Sequence, residues 1–126
     1  MKVLLTLFLS CAFLVAQGDR AELDAVGRRI VELYRAERYA EAIEAASKAV
    51  TLAEKIYPPY HPDIADWLKV LGSIYRSQGR YYDAEPIFSR VLEIDEHVFG
   101  PDHSNTAESL NDLADLYDKQ GQYDKA

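Results

Sequence analysis

LKVLGSIYRSQGRYYDA, residues 68–84, recurs 42 residues later as LNDLADLYDKQGQYDKA, residues 110–126. The same interval separates Tyr39 from Tyr81 and Ala42 from Ala84, so the chain contains three copies of one unit. A period of about 20 to 50 residues is typical of solenoids, in which each unit buries its apolar side only against its neighbours. The sequence therefore predicts a repeat architecture whose first copy matches the other two less well.

Within the second copy, the apolar residues follow the period of an α-helix. The first stripe comprises Leu68, Leu71, Gly72 and Tyr75. Gly79 can then end this helix in the left-handed conformation. The second stripe comprises Ala84, Ile87, Phe88, Val91 and Leu92. Each unit is thus predicted to be a hairpin of two helices, A and B, and the fold class to be an all-α solenoid.

The repeats are expected at about residues 19–57, 64–99 and 106–126. In the first, Glu37 stands where the later copies have Gly79 and Gly121, a departure expected of a terminal cap that faces water. Proline and histidine punctuate the linkers. We interpret His61 and His103 as polar residues at helix starts, because no cysteine or third histidine accompanies them as zinc would require.

The third copy is incomplete. Ala126 corresponds to Ala84, so the counterparts of most of helix B are not in the sequence. Part of the helix A stripe would then be exposed, and that stripe comprises Leu110, Leu113, Ala114 and Tyr117. We expect the chain to be a fragment of a longer repeat protein; otherwise a neighbouring subunit would supply the missing helix, which allows self-association through the open repeat.

Residues 1–18 do not follow the repeat. Lys2 precedes an apolar run from Val3 to Ala16, and small residues follow at Ala16 and Gly18. This pattern predicts a secretory signal peptide cleaved after Gly18 or after Ala16, and hence a periplasmic or secreted protein without a membrane span after cleavage. An uncleaved N-terminal membrane anchor is the alternative, and lipidation at Cys11 ranks below both.

Composition excludes several function classes. Cys11 is the only cysteine, so cleavage would remove thiol catalysis, disulfides and thiolate metal sites together. The net charge of −7 disfavours nucleic acid and anionic membranes as partners. No nucleophile elbow, metalloprotease helix or phosphate loop is present in the sequence. We therefore expect no catalytic residues, no metal, no cofactor and no enzymatic activity.

The pattern Leu68-x-x-Leu71-Gly72-x-x-Tyr75-x-x-x-Gly79-x-Tyr81-x-x-Ala84-x-x-x-Phe88 resembles the tetratricopeptide repeat signature. The 42-residue spacing and the sequence Gly100-Pro101-Asp102-His103 are similar to the longer variety of kinesin light chains and many bacterial proteins. The resemblance covers residues 38–126 well and residues 19–37 poorly. It implies a right-handed superhelix of helical hairpins that acts as a scaffold for binding proteins or peptides.

The resemblance also implies which residues bind. In such arrays the A helices line a concave groove, and certain helix positions point into it. The groove residues carried over are Asp66, Lys69, Ser73, Arg76, Glu108, Asn111, Asp112, Asp115 and Asp118, with Val70, Ser77 and Lys119 beside them. Four of the acids fall along one side of a helix, which indicates a basic peptide or protein segment as partner, although an ordinary solvated face has the same pattern. Asn111 could clamp a peptide backbone, since an amide both donates and accepts hydrogen bonds.

Overall fold

The computed structural model describes the backbone of residues 2–125 and the side chains of residues 14 and 17–121. Five helices, and no strand, occur in that part of the chain. They are α1 (Lys2–Arg35), α2 (Tyr39–Ile56), α3 (Pro62–Ser77), α4 (Tyr81–Phe99) and α5 (Ser104–Lys125). Each helix packs mainly on the helices before and after it in the chain. This arrangement confirms the predicted all-α solenoid of hairpins, with α1, α3 and α5 as A helices and α2 and α4 as B helices.

The two turns within hairpins are built alike. Gly79 has a φ of +72° between α3 and α4, and Glu37 has a φ of +59° between α1 and α2. The N–H of Arg80 donates to the Tyr75 carbonyl at 2.9 Å, and the N–H of Arg38 donates to the Leu33 carbonyl at 2.9 Å. These bonds, five residues back, cap the C-terminus of each A helix. Glu37 therefore adopts the glycine conformation without being glycine, which strains the backbone.

The linkers between repeats confirm the helix-start interpretation of the two histidines. Nδ1 of His61 accepts the Asp63 N–H at 3.1 Å, and Nδ1 of His103 accepts the Asn105 N–H at 3.1 Å. The imidazole of His61 stacks on Tyr57 with ring centroids 4.3 Å apart, and that of His103 stacks on Phe99 at 4.5 Å. Each histidine thus caps an A helix while packing on the preceding B helix.

The core is shaped by close helix approach. On α2, the fully buried alanines are Ala42, Ala46, Ala49 and Ala53. The same positions of α4 hold Ala84, Phe88, Val91 and Asp95, all buried. A Cβ added to Gly72 would lie 3.0 Å from the Phe88 ring, so the glycine is what lets this ring pack on α3.

Two helix boundaries differ from expectation. Helix α1 begins at Lys2 rather than at about Asp19, because the apolar run before Gly18 also favours helix and contains no proline. Helix α5 passes through Gly121 to Lys125, so the predicted turn at Gly121 is not formed. In the second repeat, Ile87 and Phe88 hold helix B against helix A and so favour the turn between them. Their counterparts are not in the sequence, so nothing comparable favours a turn at Gly121.

The predicted signal peptide lies largely outside the described side chains. Its backbone belongs to α1, and neither export nor cleavage is tested by this observation. Within the described part of the chain, the length and apolar character needed to cross a bilayer are not combined in any helix.

Candidate functional site

Neighbouring A helices meet at two places. The Trp67 ring on α3 lies over Gly27 on α1, and its Cη2 atom would be 2.9 Å from a Cβ at that glycine. The guanidinium of Arg76 on α3 lies 3.7 Å from the Asp112 carboxylate on α5. These contacts join the three A helices. We call the predicted groove positions of α3 and α5, together with the positions of α1 that lie 42 residues before those of α3, the A-helix face.

The predicted groove residues, which define the face on α3 and α5, differ in exposure. The exposed ones are Asp66, Ser73, Glu108, Asn111, Asp115 and Asp118, and the half-buried ones are Lys69, Arg76 and Asp112. None belongs to the hydrophobic core. The residues are thus accessible, and their role in binding stays a prediction.

The acidic side of α5 is partly neutralised by neighbouring cations. Asp112 pairs with Arg76, and Asp115 lies 3.4 Å from Lys119 one turn along the same helix. Both pairs are partly exposed, so each contributes little to stability. The row of four acids on α5 therefore attracts a basic segment less strongly than four isolated carboxylates would. The Arg76 pair also joins α5 to α3.

Burial and neighbouring charges change the pKa of the Asp66 carboxyl. Partial burial raises its pKa above the ordinary value of 3.8, Lys69 opposes this shift, and Asp63 and Asp95 add to it. Ionised Asp66 is therefore less well accommodated in the folded protein than in water. The carboxyl faces other acids at the N-terminal end of α3, where a cationic ligand group would be favoured.

The sequence reasoning missed an apolar part of the face. On α1, Val31 is 49% exposed and Tyr34 is 42% exposed, and they occupy the positions of Ser73 and Arg76 in the first repeat. The Tyr34 ring is held edge-on against Tyr39, with centroids 5.3 Å apart. The 42-residue offset from Ser73 and Arg76 is the signal that identifies both positions, whereas the interpretation of the first repeat as a cap assigns them no binding role.

Net charge changes sign across the A-helix face, from +1 at the positions of α1 and of α3 to −3 at those of α5. At the groove positions, α1 carries two arginines and one aspartate, which are Arg28, Arg35 and Asp24. The α3 positions carry two cations and one acid, whereas those of α5 carry four acids and one lysine. The face thus changes from weakly basic with apolar side chains on α1 to acidic on α5.

Among residues with described side chains, no group of three or more histidine, cysteine, aspartate or glutamate side chains is placed to hold a metal ion. The Nδ1 atoms of His61 and His103 are occupied by their capping bonds.

Comparison with known families settles the classification. The family model for the tetratricopeptide repeat matches residues 30–81 and 63–126. The chain belongs to the tetratricopeptide-repeat family. Comparison with curated proteins gave no match. Tetratricopeptide repeats generally mediate protein–protein interaction, and the family is typically a non-catalytic scaffold.

Proposed function

We propose that this tetratricopeptide-repeat protein is a non-catalytic adaptor that binds a polypeptide segment along its A-helix face. The observation that carries the proposal is a surface whose two ends differ, with exposed Val31 and Tyr34 on α1 and the acids on α5. Such a surface favours a segment with an apolar end over α1 and a basic end over α5. Asn111, exposed among the α5 acids, would hold the backbone at the basic end of the segment.

The basic end of the segment is tested by reversing charge on α5. The probes are fluorescent extended peptides with a leucine-rich end and a lysine-rich end, in both chain directions, beside peptides with glutamate in place of lysine. Changing Glu108 and Asp115 to lysine should weaken binding of the lysine peptides at least about tenfold at low salt. Asp112 is left unchanged because its pair with Arg76 joins α5 to α3, whereas the pair of Asp115 with Lys119 lies within α5.

A matched control carries the same charge change elsewhere. Glu96 on α4 and Asp102 in the linker before α5 are exposed and do not belong to the A-helix face, and changing both to lysine should leave affinity nearly unchanged. Equal losses in the two double variants would mean that only net charge matters. Equal affinity of wild type for lysine and glutamate peptides would remove the basic-partner proposal.

The apolar end is tested separately. Changing Val31 and Tyr34 to serine should weaken every peptide with a leucine-rich end, whichever charge it carries at the other end. Tyr82, which is 58% exposed on α4, provides the control as Tyr82→Ser. Unchanged affinity of the α1 variant would confine binding to the polar part of the face.

A second candidate function is assembly through the third repeat, as a self-assembly module or as the targeting arm of a longer protein. It is favoured by Leu110, 48% exposed, and Tyr117, 49% exposed, on α5. Ala114 beside them is also exposed, whereas Leu113 is buried against α4. Self-assembly predicts a concentration-dependent dimer in sedimentation, and a monomer across a wide dilution series would count against it.

We also propose that residues 1–18 direct export. The support is the order of one charge, an apolar run and small residues. Fusing residues 1–30 to a reporter that is active only outside the cytoplasm should give activity, which Leu9→Arg should abolish. The mass of the exported product would distinguish cleavage after Gly18 or Ala16 from an uncleaved anchor.

A further inference from the structure

A glycine opens the A-helix face at the first junction, between α1 and α3. The face position that holds Lys69 on α3 and Asn111 on α5 holds Gly27 on α1. The Trp67 ring of α3 fills the space of the missing side chain, since its Cη2 atom would be 2.9 Å from a Cβ at Gly27. Trp67 packs on the core but is only half-buried. The first junction therefore presents an indole where the other A helices carry a polar side chain.

Other apolar side chains of α1 and α3 lie near this indole in the helical register. Val31 follows Gly27 by one turn and Tyr34 follows by a further turn, and both are exposed. Val70 follows Trp67 by one turn and is half-buried. Residues three or four positions apart share one side of a helix, so each helix presents its apolar pair on one side. We call Val31, Tyr34, Trp67 and Val70 the apolar subsite.

The repeat offset places two members of this subsite against each other across the junction. Arg76 and Asp112 meet across the second junction, between α3 and α5, at 3.7 Å. Their counterparts 42 residues earlier are Tyr34 and Val70. The place that holds an ion pair at the second junction is therefore apolar at the first, and the two junctions offer a ligand different contacts.

A row of equivalent positions leads from the apolar subsite to the acids of α5. Val31, Ser73 and Asp115 are 42 residues apart and occupy the same level of α1, α3 and α5. Ser73 is exposed, and its short side chain leaves the path across α3 open. Asp115 lies 3.4 Å from Lys119, and both side chains are partly exposed. Because such an exposed pair is weak, a cation of the ligand can replace Lys119.

The spacing of the A helices determines how far apart the two contacts of a ligand lie. Packed helices are about 8–10 Å apart. The apolar subsite lies between α1 and α3, so α5 is one and a half spacings away, roughly 12–15 Å. An extended chain rises about 3.3 Å per residue, and side chains an even number of residues apart point to the same face. Four residues span about 13 Å, which matches this distance with both side chains facing the array.

We propose that the A-helix face selects an extended segment in which one large aliphatic residue and one lysine or arginine are four positions apart. The aliphatic side chain contacts Trp67 in the apolar subsite, and the cation pairs with Asp115. The net charge of +1 on α1 and on α3 repels the cation from the apolar subsite, whereas the net charge of −3 on α5 attracts it. The inference rests on the proposed adaptor function and adds the separation of the two contacts and the role of Trp67.

The test varies only the separation. Peptides rich in serine and threonine carry one leucine and one lysine, with the lysine two, four, six or eight positions after the leucine. A second series has the opposite order, so that both chain directions are covered. In one direction, the peptide with a separation of four should bind about fivefold more tightly than those with two or eight, by fluorescence anisotropy of labelled peptides at low salt. A flat profile or a maximum at another separation would overturn the inference.

Two charge variants and the single tryptophan locate the contacts. Asp115→Lys should abolish the preference for a separation of four, whereas Glu96→Lys, an equal charge change outside the A-helix face, should preserve it. Unlabelled leucine peptides should shift the emission of Trp67, the only tryptophan, and peptides with serine in place of leucine should not. Circular dichroism verifies that each variant folds. Equal effects of the two variants, or an unchanged Trp67 emission on binding, would contradict the assigned contacts.

The peptides with a leucine-rich and a lysine-rich end separate this inference from the adaptor function. If they bind while the single-leucine, single-lysine peptides bind equally at every separation or not at all, the inference is wrong and the adaptor function stands. If neither kind of peptide binds, both are wrong.

Discussion

Gly72→Ala tests whether close packing between α3 and α4 outweighs helix propensity. The added Cβ would lie 3.0 Å from Cε2 and Cζ of Phe88 and 3.3 Å from Cγ2 of Ile87. Phe88 is only 2% exposed, so its ring cannot swing into solvent to make room. The methyl group must therefore push the helices apart or force the ring off its preferred rotamer.

The expected change in the free energy of unfolding is the difference between two opposing effects. Overpacking costs about 1–3 kcal/mol, and replacing a helical glycine with alanine stabilises by about 1 kcal/mol. The net loss for Gly72→Ala should be about 1 kcal/mol. With Phe88→Leu present the clash is relieved, so the same alanine should become neutral or stabilising, which gives a coupling energy of about 1–2 kcal/mol.

Urea unfolding measures this cycle, with far-ultraviolet circular dichroism and the emission of Trp67, the only tryptophan, as two probes. Gly121→Ala is the control, because Gly121 is helical and a Cβ there meets nothing within 4 Å. It should stabilise by up to about 1 kcal/mol. If Gly72→Ala stabilised as much as Gly121→Ala, the close approach of Phe88 would not constrain residue 72.

Three further measurements address backbone strain, pH and a buried carboxylate. Glu37→Gly should raise the free energy of unfolding in urea by about 0.5–1 kcal/mol, since glycine adopts the φ of +59° without strain. Gly79→Ala, where φ is +72°, should lower it. A loss of stability in both variants would contradict this reasoning. Because the pKa of Asp66 is raised in the folded protein, its carboxyl contributes a loss of stability as pH rises from 3.8 through that raised pKa. The stability of Asp66→Asn relative to wild type should therefore increase over this range, and parallel stability curves would refute the assignment. Ser109→Ala should lower the free energy of unfolding by about 1–3 kcal/mol, because the buried Asp95 carboxylate accepts a hydrogen bond from the Ser109 hydroxyl. Ser89→Ala, at an exposed position, should change the free energy of unfolding little.

The repeat pattern was enough to predict the hairpins, the turn at Gly79 and the histidine caps. These features depend on residues close in sequence, whose conformational preferences are local. The position of Glu37 was also predicted, although its strained φ was not. The start of α1 at Lys2 was not predicted, because the apolar run before Gly18 is compatible both with a helix and with a signal peptide.

Contacts between different helices could not be predicted in the same way. Leu110 and Leu113 have the same side chain, yet one is 48% and the other 7% exposed, because only Leu113 points toward α4. The Arg76 to Asp112 pair joins residues 36 positions apart on different helices. Side-chain type alone does not reveal such pairs; the rotation of each helix decides them.

The two junctions between repeats differ in kind, and this difference bears on binding. At the first, Ala53, Ile64 and Trp67 are apolar; at the second, their counterparts are Asp95, Thr106 and Ser109. Thr106 donates to the Gly100 carbonyl at 2.7 Å, and Ser109 donates to Asp95. Buried hydrogen bonds fix a geometry but add less net stability than equal apolar burial.

Helix α5 is therefore oriented by directional bonds. The same orientation places Arg76 against Asp112 on the A-helix face. Because the buried bonds at the second junction already hold that orientation, a ligand that spans α3 and α5 would meet a preformed surface and would lose less free energy in ordering it.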